Sequence, residues 1–353
     1  MWFGYAGIIA CVLRNTGENM KWYFAAGYVA ALCLFAINLT CCDQQRPSHE
    51  QAVTSGPVVM ASIYPMANLA SQILGDLTHV DTLLPPGVTP HGFELHADRL
   101  QLLHQADILI TIGGPVDKWV EDAAAKSGND IQIARFSAEV GIDIADEADH
   151  HHDHHSEQPG ERDEHTSGFE DHTGREVAAN PHLWLDPILT IEFVEKLGRI
   201  LAGQYPGHRS QIEKNTAELI QSLHEIDRAY RQQLGDIEEK KLITFHNAFD
   251  LLAARYGLHV VQHLIPIDLV PGGEVKSRQL VQAIDAIRQF KLKVVYAEPQ
   301  FPDTAIKALQ RETGVEVLRL DPLGHPEVDG YHTYQAMMLS NLEVLVGGQS
   351  RVD

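Results

Sequence analysis

The sequence predicts an α/β fold with two (β/α) lobes, each built on a parallel sheet, joined by one long rigid backbone helix. Three observations lead to this prediction. Short apolar runs alternate with helical segments over residues 58–136, and the alternation returns over residues 241–345. Such alternation is typical of parallel sheets covered by helices. Between the two regions, residues 209–234 carry apolar side chains at helical spacing without an internal Gly or Pro.

The N-terminal lobe is assigned to residues 57–207, after a polar tether over residues 43–56. Its strands are predicted from β-branched and apolar runs, and its helices from apolar residues three or four positions apart. The predicted strands cover residues 58–64, 79–84, 107–112 and 131–136. The predicted helices cover residues 66–77, 97–106 and 116–125, and a further helix begins at Asp186-Pro187.

The linking segment, residues 208–236, contains the longest predicted helix. Residues 209–234 give about 26 helical residues, or roughly 39 Å at 1.5 Å per residue. That length is enough to cross the molecule rather than remain within one lobe. A continuous helix also resists hinge bending, so we expect only a modest closure of the lobes.

The C-terminal lobe is assigned to residues 237–353, where strands and helices again alternate. The predicted strands cover residues 241–245, 259–265, 293–297 and 315–320. The predicted helices cover residues 248–256, 277–290, 302–313 and 334–345.

Residues 1–42 are predicted to be an export signal that ends in a lipobox. A basic start at Met20-Lys21 precedes an uncharged apolar run over residues 22–40, which two cysteines follow. This arrangement is typical of signal peptides, and Cys42 is the expected lipid-carrying residue. Met20 is a candidate for the true start. Export would place the protein in the periplasm or on the outer side of the cytoplasmic membrane. The alternative is an uncleaved anchor helix, because the apolar run approaches spanning length.

Charge and cysteine content restrict the function. The net charge of −21 disfavours nucleic acid as a partner and favours cations. All four cysteines lie at or before position 42. Any metal site in the lobes must therefore use histidine and carboxylate ligands.

Four residues with metal-binding side chains follow predicted strands or open helices: His91, His182, His246 and Asp321. Ligands of open α/β sheets bind at the carboxyl ends of the strands, so we expect these residues to converge in the cleft between the lobes. Three imidazoles and one carboxylate suit Zn²⁺. Binding requires neutral imidazoles, so affinity is expected to fall below about pH 6.5. A histidine after a strand is also a common loop or capping residue, and that alternative stays open.

Five short motifs occur in order along the chain. They are Pro90-His-Gly-Phe-Glu94, Asn180-Pro-His-Leu-Trp-Leu-Asp-Pro187, Thr244-Phe-His-Asn-Ala-Phe249, Tyr296-Ala-Glu-Pro-Gln-Phe301 and Leu320-Asp-Pro-Leu-Gly324. The set resembles the metal-binding solute-binding proteins of bacterial ABC importers, specifically the high-affinity zinc branch. The resemblance extends over about residues 57–347.

The resemblance implies a metal ion held in the cleft between two lobes. It assigns His91, His182 and His246 as ligands, and His246 favours zinc because manganese-type relatives usually carry a glutamate there. Asp321 matches the last ligand position, although some zinc-branch members complete the shell with water. Glu298 is expected to lie in the cleft behind the ligands rather than to bind the metal.

A polar tract over about residues 146–178 interrupts the N-terminal lobe, and its composition predicts no packed structure. Tracts of this kind at this location are typical of zinc-importing members of the family. They suggest a secondary, low-affinity zinc-binding loop, whose candidate ligands are His150, His151, His152, His154, His155, His165 and His172. The alternative is a solvated insertion without consequence for uptake.

The predicted function is an extracytoplasmic receptor, expected to be a monomer, that captures Zn²⁺ and delivers it to an ABC permease. A manganese-type receptor and an adhesin-like metal lipoprotein of the same fold are alternatives. A zinc-dependent hydrolase is disfavoured, because the sequence contains neither an H-E-x-x-H motif nor a G-x-S-x-G motif.

Overall fold

Two four-stranded parallel sheets organise the protein. The structure is a computed structural model that describes residues 56–144, 180–235, 237, 241–264 and 277–349. The predicted signal peptide and lipobox, nearly all of the tether, and the histidine-rich tract lie outside these residues. The described residues belong to one compact unit.

The first sheet has the strand order β2-β1-β3-β4, with all neighbours parallel. Its strands are β1 Val59–Ala61, β2 Val80–Thr82, β3 Ile108–Thr111 and β4 Gln132–Arg135. Its helices are α1 Tyr64–Leu74, α2 Ala97–Leu103, α3 Lys118–Lys126 and α4 Phe136–Val140. The interior strands β1 and β3 are buried along their whole length, which explains their uninterrupted apolar sequences. The sequence pattern does not predict α4, because Phe136 continues the apolar run of β4.

Two long antiparallel helices, α5 Pro187–Gln204 and α6 Arg209–Gly235, follow the first sheet. Asp186 caps α5 by accepting hydrogen bonds from the first backbone N–H groups of that helix. The helices approach closely where Gly198 faces Thr216, since a Cβ at Gly198 would lie 2.5 Å from the Thr216 hydroxyl. Helix α6 packs against α1 and also against two helices of the C-terminal lobe, those over residues 250–256 and 334–349. It is therefore the predicted connection between the lobes.

The second sheet repeats the arrangement of the first, with the strand order β6-β5-β7-β8 and all neighbours parallel. Its strands are β5 Lys241–Thr244, β6 His259–His263, β7 Val294–Ala297 and β8 Glu316–Arg319. Its helices are α7 Asp250–Tyr256, α8 Ser277–Phe290, α9 Asp303–Thr313 and α10 Tyr334–Gln349.

The strand order places a ligand-binding position in the second sheet. The winding direction reverses between β5 and β7, and open α/β sheets bind ligands beyond the carboxyl ends of strands at such a reversal. His246 follows β5, and Glu298 follows β7. These two side chains therefore lie at the position where the topology favours a site.

One hydrophobic core continues through both lobes. It includes Ile110 of β3, Trp184 before α5, Tyr230 of α6 and Tyr334 of α10. The predicted fold class is confirmed, whereas the lobe boundaries given above remain predictions. Among the described residues, no helix combines the length and the apolar composition needed to cross a bilayer.

Candidate metal centre

Three of the four predicted ligands come together. His91 lies in the loop between β2 and α2, His182 precedes the short 3-10 turn Leu183–Leu185, and His246 follows β5. The centroids of their rings are 5.1 to 5.5 Å apart. One nitrogen from each ring lies within 4.8 Å of the other two, so these nitrogens could share one ion.

The spacing of two ligand nitrogens fits zinc. Nε2 of His91 and Nε2 of His182 are 3.3 Å apart. Two nitrogens bound to Zn²⁺ at about 2.0–2.1 Å in a tetrahedron would be about 3.4 Å apart. The separation of the pair therefore matches that of two ligands of a tetrahedral zinc ion.

Asn180 orients His182. Its side-chain oxygen accepts hydrogen bonds from the backbone N–H of His182 at 3.0 Å and from the ring Nδ1 at 2.8 Å. The ring proton therefore lies on Nδ1, and Nε2 keeps a lone pair for a metal. This role of Asn180 is not among the predictions made from the sequence. An Asn two positions before a candidate ligand is the signal that could have indicated it, because Asn often bonds to the backbone two residues ahead.

Glu298 orients His246. Both side chains are buried, and Nδ1 of His246 contacts Oε1 of Glu298. Both ring nitrogens of His246 are buried: Nε2 has no hydrogen-bond partner among the described residues, and the polar contact found for Nδ1 is the one with the Glu298 carboxylate. A histidine that donates Nδ1–H to a carboxylate presents Nε2 as a metal ligand. The expectation that Glu298 lies behind the ligands agrees with this geometry.

His91 is more exposed than the other two histidines. Its backbone N–H donates to the Thr89 hydroxyl at 3.3 Å, and its side chain lies at the partly exposed edge of the site. Two residues later, Phe93 packs edge-on against Trp119 with centroids 4.9 Å apart. The His91 loop is thus supported by the N-terminal lobe.

The site favours neutral imidazoles. Burial, reinforced by the nearby His246, lowers the pKa of His91 to about 3. Burial, with smaller contributions from His246 and His91, also holds the pKa of His182 well below its usual value. Both rings are therefore neutral near pH 7 and ready to bind a metal.

Asp321 is placed differently from the three histidines. Among the described residues, the group with mutually close ligand atoms contains the histidines alone. Oδ1 of Asp321 accepts hydrogen bonds from the backbone N–H groups of Leu323 at 2.9 Å and Gly324 at 3.0 Å. Burial is the main reason why the pKa of the Asp321 carboxyl is raised. Its carboxylate thus holds the turn after β8, and direct metal binding by Asp321 remains a prediction.

The His182 turn is bonded to the C-terminal lobe. The Asn180 side-chain N–H donates to the carbonyl of Asn247 at 2.6 Å, and the Trp184 indole donates to the carbonyl of Pro322 at 2.6 Å. Asp186 forms a buried ion pair with Arg255 of α7 at 2.8 Å. His182 therefore belongs to the N-terminal lobe in sequence but is positioned largely from the other lobe.

The candidate ligands of the histidine-rich tract lie outside the described residues, and their predicted role stays a prediction. In the sequence, the tract of about residues 146–178 ends shortly before Asn180, the first residue of the His182 turn.

The sequence matches the family described as zinc-uptake complex component A, periplasmic (ZnuA), over residues 59–348. It is 29% identical over 291 residues to the high-affinity zinc uptake system protein ZnuA of Bacillus subtilis, covering 81% of this chain and 86% of that protein. It is 27% identical over 301 residues to the zinc-binding protein AdcA of Streptococcus pyogenes serotype M3, covering 84% of this chain. The alignment covers 57% of AdcA, so this chain spans little more than half of that relative.

The fold also resembles a solved structure. The periplasmic zinc-binding protein TroA from Treponema pallidum aligns with a TM-score of 0.67 at 19% identity. The alignment covers 83% of this chain and 99% of that chain. At this identity, the likeness shows a shared fold.

Proposed function

The chain belongs to the ZnuA family of periplasmic zinc-uptake components, and on this premise we propose that it captures Zn²⁺ outside the cytoplasm and delivers it to an ABC permease. The observation that carries this proposal is the convergence of His91, His182 and His246 from distant parts of the sequence. Each ring contributes one nitrogen to a buried group, and two of these nitrogens already have the separation of tetrahedral zinc ligands.

The ligand types support zinc rather than manganese. Imidazoles suit zinc, whereas carboxylate and water ligands suit Mn²⁺. The carboxylate of Glu298 faces the Nδ1 side of His246 and serves to orient that ring. A receptor with three histidines at one ion is therefore expected to prefer Zn²⁺.

The fourth coordination position belongs to Asp321 or to a water molecule. Water is supported by the two backbone hydrogen bonds that occupy Oδ1 of Asp321. A shell of three histidines and one water does not by itself separate a receptor from a zinc enzyme, because three protein ligands and one water also describe catalytic zinc. Membership of the ZnuA family favours the receptor over the enzyme, because uptake components are receptors and not enzymes.

Export, lipidation at Cys42 and a monomeric state complete the proposal. The apolar run and the cysteine that follows it support a lipid anchor on the outer side of the cytoplasmic membrane. In the same proposal, the histidine-rich tract binds further zinc weakly and raises its concentration near the cleft.

Zinc titration of the purified protein tests the proposal. A chelator of known affinity should reveal one tight Zn²⁺ site that outcompetes Mn²⁺, and His246→Ala should abolish it. His259→Ala is the matched control, because His259 is exposed on β6. Tight binding that survives His246→Ala would refute the site. Elemental analysis with and without residues 147–176 would separate ions held by the tract from the ion in the cleft.

Delivery to a permease needs a test in cells. A strain that depends on this protein should grow in zinc-limited medium with the native chain but not with His246→Ala. Equal growth with the native chain and with His246→Ala would contradict a role in uptake, whereas the proposal that the protein binds zinc would be unaffected.

A further inference from the structure

His263 lies beside the metal centre without belonging to it. It is the last residue of β6 and is paired with Thr244, the last residue of β5. The loop that carries His246 begins directly after Thr244 and ends where Asp250 starts α7. His263 therefore stands beside both ends of a ligand-bearing loop.

The His263 ring contacts both ends of that loop. Its Nδ1 is 2.9 Å from the Thr244 hydroxyl, and its Nε2 is 3.2 Å from Oδ2 of Asp250. A carboxylate facing Nε2 places the proton of a neutral ring on Nε2. Nδ1 then accepts a hydrogen bond from the Thr244 hydroxyl. The His263 imidazole thus bridges the side chains of Thr244 and Asp250.

An irregularity in the sheet aims His263 at Thr244. Leu242 is paired with Val260, but the next residue of β5, Ile243, is paired with Gln262. The extra residue in β6 shifts the register by one position. Side chains alternate between the faces of a strand, so a regular ladder would put Gln262 opposite Thr244 instead. Bulges that redirect a side chain are common next to functional sites.

We infer that His263 is a positioning residue for the metal centre, which holds the 245–249 loop so that Nε2 of His246 faces the ion. This inference rests on the proposed zinc site. Glu298 fixes the rotation of the His246 ring, whereas His263 fixes the backbone that carries it. Loss of a contact that orients a metal ligand commonly lowers metal affinity about 10- to 100-fold.

The test compares Thr244→Val, His263→Ala and His259→Ala with the native protein. Thr244→Val removes only the hydroxyl that bonds to the ring, and His259 lies on the same strand without taking part in this network. Zinc affinity is measured by chelator competition below one equivalent of metal. The visible spectrum of the Co²⁺-loaded protein reports the ligand geometry.

Thr244→Val and His263→Ala should each weaken zinc binding about tenfold or more and alter the Co²⁺ spectrum. The double variant should be no weaker than His263→Ala, since both changes break one network. His259→Ala should match the native protein. If His263→Ala fails to fold, Thr244→Val still decides the matter.

Native zinc affinity and an unchanged Co²⁺ spectrum in Thr244→Val would overturn the inference. A lower melting temperature without either change would also overturn it, because that result describes a purely structural contact. The proposed function fails separately, if the native protein itself lacks a tight site or His246→Ala retains it.

Discussion

The Asn180 side chain donates a hydrogen bond to the backbone carbonyl of Asn247 at 2.6 Å, and this contact joins the turn carrying His182 to the loop carrying His246. The same amide accepts from the His182 ring through its oxygen. One residue therefore orients a ligand and fixes the distance between two ligand loops. Because these loops come from different lobes, the contact also supports the lobes in the arrangement that brings the histidines together.

Asn180→Ala should weaken zinc binding about 10- to 100-fold, because the His182 ring loses the acceptor that fixes its orientation. Chelator competition measures this effect. Asn180→Asp is the informative comparison, since it keeps an acceptor for His182 but loses the donor to Asn247. A smaller loss is expected for Asp than for Ala. Equal affinity in all three proteins would show that Asn180 has no part in the site.

Glu298→Gln should reduce zinc affinity by a similar factor, because a carboxylate is a stronger acceptor for the His246 Nδ1–H than an amide. Glu327→Gln is a suitable control, as Glu327 is exposed in the loop between β8 and α10. Isothermal titration would report both values. An affinity that responds equally to the two substitutions would argue against a specific role for Glu298.

Asp321→Asn should change zinc affinity less than Asn180→Ala does. An Asn oxygen can still accept the backbone hydrogen bonds from Leu323 and Gly324, so the turn is retained. The expectation follows from the position of Asp321 outside the histidine group. A loss comparable to that of His246→Ala would identify the Asp321 carboxylate as a direct ligand.

Protonation of His91 and His182 should not weaken zinc binding as the pH falls through about 6.5, the unperturbed histidine value. The reason is that burial lowers the pKa of both rings, so protons compete poorly for their nitrogens. For these two ligands the structure thus moves the pH limit expected from the sequence downward. Proton NMR of the two ring signals in the metal-free protein from pH 8 to pH 5 measures this, and titration of either ring near 6.5 would contradict these pKa shifts.

Asp117→Asn should reduce the pH dependence of metal-free stability. Burial raises the pKa of Asp117 to about 7, although its Oδ2 accepts hydrogen bonds from Ile112 and Gly113. The folded state thus binds a proton that the unfolded chain releases, so stability should fall as the pH rises from about 4 through about 7. The full shift corresponds to about 4 kcal/mol at most.

Denaturant unfolding in the presence of a chelator, from pH 4 to pH 8, measures the effect of Asp117→Asn. Asp143→Asn is the control, because Asp143 is exposed. If the native protein and Asp117→Asn show the same pH profile, Asp117 does not carry this proton.

The sequence by itself determined the alternation of elements and the long helix. Strands β1, β3 and β7 are buried along their length and are therefore continuously apolar. Helix α6 repeats buried side chains every three or four residues, and its predicted start agrees with the structure, while its end lies one residue further. These features depend on local periodicity, which is visible in the sequence without knowledge of distant contacts.

Only the tertiary structure decided how the candidate ligands are arranged. His91, His182 and His246 meet because two sheets and a shared core bring their loops together, and Asp321 stays outside the group. Asn180, Glu298 and His263 orient ligands through contacts whose geometry is sensitive to displacements of a few tenths of an ångström. Hydrogen bonds and metal ligation require such distances between residues far apart in the chain, and residue spacing along a sequence does not contain them.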